Sequence, residues 1–259
     1  MPAIALASLL LAAQSASDLP PVEQDRLKLC LADARTDPAT AIVTASTWLS
    51  EAAGPERSFP QQCLGTAYTS LLRWDAAESA FLAARMALLD SEPAGRARFA
   101  AMAGNAALAA ERYPAALADF EMAQADAGTA GEPDLIGSIA TDRARALVAL
   151  DRLPDAAEAL AKARESAPQN GTAWLLSATL ARRQNDLATA QSQIEMAAAL
   201  LPDDPAVGLE AGVIATLAGD QDAARKSWQS VVDAAPNSQE AGTALYYLAQ
   251  LGDTTVKGR

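Results

Sequence analysis

Histidine is absent from the 259 residues, cysteine occurs twice, and aromatic residues make up only 5% of the chain. The missing histidine removes the commonest general base and the commonest zinc ligand together, and with them every Ser-His-Asp or Cys-His nucleophile. Two thiols, Cys30 and Cys63, cannot complete a four-thiolate site. Positive charge is also scarce, with 20 basic against 32 acidic residues and a net charge of −12. Nucleic acids are bound by displacing counterions with basic side chains and by stacking bases on aromatics, so this chain lacks both means. No G-x-S-x-G elbow, S-x-x-K pair, G-x-x-x-x-G-K-[ST] loop or G-x-G-x-x-G turn occurs. Neither catalytic residues nor a cofactor or metal site is therefore expected.

Long hydrophobic runs are missing except at the start, where Ala3 to Ala13 carries no charge and the first acid is Asp18. Such a run is too short to span a bilayer, so no membrane span is expected, but it fits the apolar core of a secretion signal. Residues 1–17 are read in that way, with cleavage after Ser15 or Ser17 and a periplasmic mature chain. The alternative is an alanine-rich first helix of a cytoplasmic protein, since the run has no Lys or Arg before it.

What the chain does have is alanine and a period. The apolar fraction is 51%, and an alanine-rich sequence with few aromatics suits close-packed helices rather than strands. Pro168, Pro202 and Pro236 stand thirty-four residues apart, a spacing that marks one supersecondary unit copied along the chain. Twelve residues before each proline is Ala156, Ala190 or Ala224, followed at helical spacing by Leu160, Ile194 or Trp228 and then by Ala163, Ala197 or Val231. Upstream, Tyr113, Ala116, Phe120 and Ala123 repeat the series, as do Trp74, Ala77, Phe81 and Ala84, with Gly65, Gly104 and Gly212 in the preceding helices.

These residues resemble the tetratricopeptide repeat, a 34-residue helix-turn-helix. The resemblance implies an all-α solenoid of about six units filling residues 18–259 as one domain. A degenerate unit at 22–56 is followed by units at about 58–91, 97–130, 137–170, 171–204 and 205–238, and by a capping helix over 238–253. Departures are Gly128 where proline is usual, Ala144 and Ala178 where glycine is usual, and Arg143 at a position normally apolar. In 88–98 and 125–134, Gly and Pro are expected to stop one helix and start the next.

In repeat register Cys30 and Cys63 fall on nearly the same face of adjacent first helices. Two readings stand: a disulfide that staples the degenerate unit to the array, or two small buried apolar residues.

The resemblance also implies a function, partner binding in a concave groove lined by the first helix of each unit. Carried over by position, Arg98, Asn105, Thr141, Arg145, Thr179 and Arg182 are the polar groove set. Arginine forks pair with carboxylates, so the implied partner is a protein or peptide with an acidic or C-terminal segment. The rival reading pairs these arginines with the chain's own Asp and Glu. The Lys and Asn set with which one tetratricopeptide subgroup clamps a terminal carboxylate is not reproduced. Three functions are thus in play: an envelope adaptor, a self-associating structural module, and an enzyme built on the solenoid for which no residue set speaks.

Overall fold

The computed structural model describes residues 21–254, and the segment read as a secretion signal lies outside them. Two helices, α1 (Pro21–Thr36) and α2 (Pro38–Glu51), lead through a short 3-10 turn at Gly54–Arg57 to α3 (Ser58–Ser70) and α4 (Trp74–Ala87). Four further hairpins come next: α5 (Pro93–Ala109) with α6 (Tyr113–Ala130), α7 (Pro133–Ala149) with α8 (Leu153–Ser166), α9 (Gly171–Arg183) with α10 (Leu187–Leu200), and α11 (Pro205–Leu217) with α12 (Gln221–Ala234). A single helix, α13 (Gln239–Thr254), ends the array. No strand occurs among the described residues, so the fold is the expected all-α solenoid.

Every helix packs against the next in sequence, while the first helices α5, α7, α9, α11 and α13 also touch one another in succession. Second helices make at most marginal contact with each other. The first helices therefore form the inner wall and the second helices fan out on the outer face. Helix α13 stands where a seventh first helix would, closing the apolar surface around Trp228, Val231 and Leu251.

Size complementarity within each hairpin fixes its packing. A methyl added at Gly65 would collide with Phe81, one at Gly212 with Trp228, and one at Gly104 would lie 2.7 Å from Phe120 Cε1. Where alanine replaces that glycine, at Ala144 and Ala178, the opposing residue shrinks to Leu160 and Ile194, and each pair is buried in one cluster. The departures at 144 and 178 thus conserve volume rather than weaken the unit.

Helix starts are set by the sequence. Asp37, Asn170, Asp186, Asp204 and Asp220 each accept a backbone N–H from the first turn of the helix they precede, and Pro38 and Pro205 occupy the first turns of α2 and α11. Two starts lie earlier than expected, at Pro93 and Pro133. One stop lies later: α6 runs straight through Gly128 and ends only at Gly131, whose φ of 68° closes the helix in the left-handed conformation. An isolated glycine lowers helix propensity without breaking the helix.

The turns inside the hairpins share one backbone device. Leu72, Glu111, Asp151 and Asn185 all have φ between 56° and 61°, and Gly219 has φ 84°. In each case the next residue's N–H returns to a carbonyl five residues earlier, for example Arg73 to Tyr68 and Asp186 to Ala181. This pattern satisfies the last free carbonyls of the first helix.

The outer face between α4 and α6 holds a buried acid. Asp119 is 5% exposed with Oδ2 unpartnered, beside Glu78 and the guanidinium of Arg112, which hydrogen-bonds Glu78. Burial, reinforced by the Glu78 charge and opposed by Arg112, pushes the Asp119 carboxyl up to about 6. The folded chain thus keeps a proton between about pH 4 and 6 that the unfolded chain releases. The stabilisation from this group is complete below that window and is lost as pH rises through 6. Asp119→Asn, which stays neutral, should therefore raise stability at pH 8 by up to about 3 kcal/mol and leave it nearly unchanged at pH 4. Thermal melts of both proteins across this range check the prediction, and parallel curves would reject it.

Candidate functional site: the inner wall

The predicted groove residues separate into three groups. Arg98 leaves α5 to meet Glu132 at 2.7 Å, an exposed pair at the edge of the wall. Asn105 donates from Nδ2 to Asp142 Oδ2 at 2.9 Å, and Arg145 reaches Asp142 Oδ1 at the same distance from one turn further along α7. Arg182 forks onto Glu210 of the next first helix at 2.6 and 3.3 Å. Polar bonds thus step from α5 to α7 and from α9 to α11 along the wall. All three arginines have a carboxylate of the chain itself within reach, as the rival reading anticipates.

Thr141 is 3% exposed; its hydroxyl donates to the Gly137 carbonyl and accepts from Asn170 Nδ2. It holds the junction between α7 and α9 and offers nothing to a ligand. The β-branched residue at this place in α7 faces its neighbour rather than the groove.

Arg145 and Thr179, in contrast, line one cavity of about 180 Å³ between α7 and α9. Its walls are Ala144, Val148, Leu176 and Leu180, its floor is Leu160 of α8, and Arg183 stands at the rim. Arg183 is exposed and has no ion pair among the described residues. Arg145 is half exposed, and its pair with Asp142 is a short-range link within one helix. Exposed pairs of this kind contribute about 0.3–0.5 kcal/mol, so a stronger partner can recruit the guanidinium at little loss. The arrangement joins an apolar lining to two guanidinium groups.

Sequence reasoning missed Arg183 and Leu176. In 181-ARRQ-184 it assigned the groove to Arg182, whereas Arg182 turns sideways to Glu210 and its neighbour borders the cavity. Consecutive helical residues differ by about 100° in direction, so a small error in rotational register exchanges their roles.

These features define a helical solenoid whose inner wall is built from successive first helices. Its repeating unit is a helix-turn-helix, and the fold is that of tetratricopeptide-repeat proteins. No protein-family model matches the sequence, and no curated protein matches it either. Solved structures do. The type IV pilus biogenesis factor PilW is similar with a TM-score of 0.69 at 19% identity, over 88% of this chain and 100% of that one. PilF of Pseudomonas aeruginosa gives 0.67 at 16% identity, over 88% and 97%. YrrB, a TPR protein with an unusual peptide-binding site, gives 0.52 at 19% identity, over 78% and 96%. At such identities the likeness is one of fold.

Proposed function

We propose that the chain is a non-enzymatic adaptor that holds a partner protein by a short segment laid along the inner wall, in the cell envelope. The segment carries an apolar residue beside Asp, Glu or a terminal carboxylate. The carrying observation is the cavity between α7 and α9, apolar within and bordered by Arg145 and Arg183. Apolar pockets with a few convergent polar groups are the usual form of a recognition site. The Cys30–Cys63 disulfide supports an oxidising compartment, and PilW, similar in fold, is a pilus biogenesis factor. The N-terminal apolar run supports export.

Panning a random peptide library against the protein should enrich sequences that place Asp or Glu next to Leu, Ile, Val or Phe. For an enriched peptide, Arg145→Ala and Arg183→Ala should each lower affinity roughly ten- to hundred-fold, the value of a charge-assisted hydrogen bond. The melting temperature should stay unchanged, and rising salt should weaken binding. Enrichment without acidic residues, or wild-type affinity retained by both variants, would end this reading.

A further inference from the structure

The last helix carries an apolar face that no other described residue covers. On α13, Gly242, Leu245, Tyr246 and Ala249 follow one another at spacings that place them on one side of the helix, and all four are exposed. Leu245 and Tyr246 are 53% and 62% exposed. The terminal unit of a solenoid ordinarily turns a polar surface to water, so this face departs from what a simple cap requires.

Repeat register shows what such a face receives. Thirty-four residues before Gly242 and Tyr246 stand Gly208 and Gly212 of α11, where an added methyl would meet Val231 and Trp228 of α12. This side of a first helix is therefore the side on which another helix packs closely. Gly242 keeps the glycine, although a methyl there would meet nothing within 4 Å. Glycine weakens a helix relative to alanine, and no contact among the described residues requires it here. Tyr246 reverses the size pattern, since it sets a large side chain where Gly212 leaves a hollow for Trp228. The helix that fits this face must offer small residues beside Tyr246, and α13 itself is such a helix.

We propose that this face binds the same face of a second copy of the chain, the two α13 helices running antiparallel about a two-fold axis between Leu245 and Tyr246. In that register Gly242 lies opposite Ala249 of the second copy and Leu245 opposite its Tyr246, and each contact occurs twice. Small meets small at both ends, so the axes can approach, and each tyrosine enters a notch with Gly242 on one side and Ala249 on the other. The pairing joins two arrays at their C-terminal ends. It is independent of the peptide site, because the cavity bordered by Arg145 and Arg183 lies between α7 and α9.

Sedimentation equilibrium of the full chain tests this, over about 5–500 µM to bracket the dissociation constant on the order of 10–100 µM expected of a one-helix interface. The mass should rise from monomer to dimer and stop there. Each copy carries a net charge of −12, so rising salt should strengthen the association, the reverse of its effect on peptide binding. Leu245→Glu should weaken the dimer at least about tenfold and leave the melting temperature unchanged, because this side chain is exposed in the monomer. Gly242→Gln should weaken it similarly while holding or raising the melting temperature, since the change favours helix. Orientation is read by cross-linking: a mixture of Gly242→Cys and Ala249→Cys proteins should form a disulfide between unlike chains faster than either variant does alone. A monomer throughout the range, growth beyond a dimer, a dimer untouched by both Leu245→Glu and Gly242→Gln, or cross-linking favoured between like chains would overturn the proposal.

Discussion

Truncating Phe120 to alanine is expected to destabilise the protein by about 3–5 kcal/mol and to divide its unfolding into two transitions. Phe120 is wholly buried at the centre of the chain, packed with Ala107, Ala116 and Ala146 and against the bare backbone of Gly104. Little nearby can fill the space, because its buried neighbours are alanines whose positions are fixed by helix backbones. A solenoid transmits stability only between adjacent units, so a void at the α5–α6 hairpin also uncouples the units on its N-terminal side from those on its C-terminal side. Calorimetry of the variant should show two resolved transitions, the earlier assigned by hydrogen exchange to one side of α6. The double change Phe120→Leu with Gly104→Ala reproduces the pair at Ala144 and Leu160 and should recover most of the loss. A cost below about 1 kcal/mol with a single sharp transition would mean that the central hairpin does not carry the coupling assigned to it.

Reduction of Cys30–Cys63 is the other large effect. The two Cα atoms are 6.0 Å apart, joining α1 to α3 across 33 residues of sequence. Closing a loop of that length in the unfolded chain is worth about 3–4 kcal/mol in the chain-entropy description. The first unit needs it, because outside the bridge α1 is held chiefly by Arg26, which pairs with Glu51 at 2.9 Å and lies over the Trp48 ring, and by packing of Ala34 in the first cluster. Hydrogen exchange after reduction should therefore show loss of protection over α1 and α2 while α5 to α12 remain unaffected. Cys30→Ala with Cys63→Ala should behave alike. Unchanged protection and melting temperature after full reduction would mean that the apolar contacts of this unit suffice alone.

The solenoid was legible because its signal is redundant. Six copies of small and large residues at helical spacing determine element type, count and pairing, and an error in one copy is corrected by the others. Boundaries were less legible where one residue decides them. Gly128 looked like a stop, yet the helix continues, since only a left-handed backbone such as that at Gly131 ends it. The inner wall was legible by position; the direction of its side chains was not. Arg145 and Thr179 do face one cavity, but Thr141 turns into the wall and Arg182 turns along it. Rotation about a helix axis depends on which neighbour offers a carboxylate at the right height, and that is a property of three helices at once. The bridge was one of two open readings, because the distance between adjacent first helices is not written in either of them.

The left-handed residue in each hairpin turn has a consequence for how the array can change in length. Asp151, Asn185 and Gly219 stand thirty-four residues apart and bring the chain to the same backbone state. A segment cut from just after one such residue to the next carries a second helix, an inter-unit turn and a first helix. Removing or duplicating it rejoins the chain in a conformation it already adopts. The turn depends on main-chain hydrogen bonds rather than on a particular side chain, as its occupancy by Leu, Glu, Asp, Asn and Gly attests. Units of this protein are therefore exchangeable at their turns, and the reach of its inner wall can be lengthened or shortened in whole steps without a new junction having to be invented.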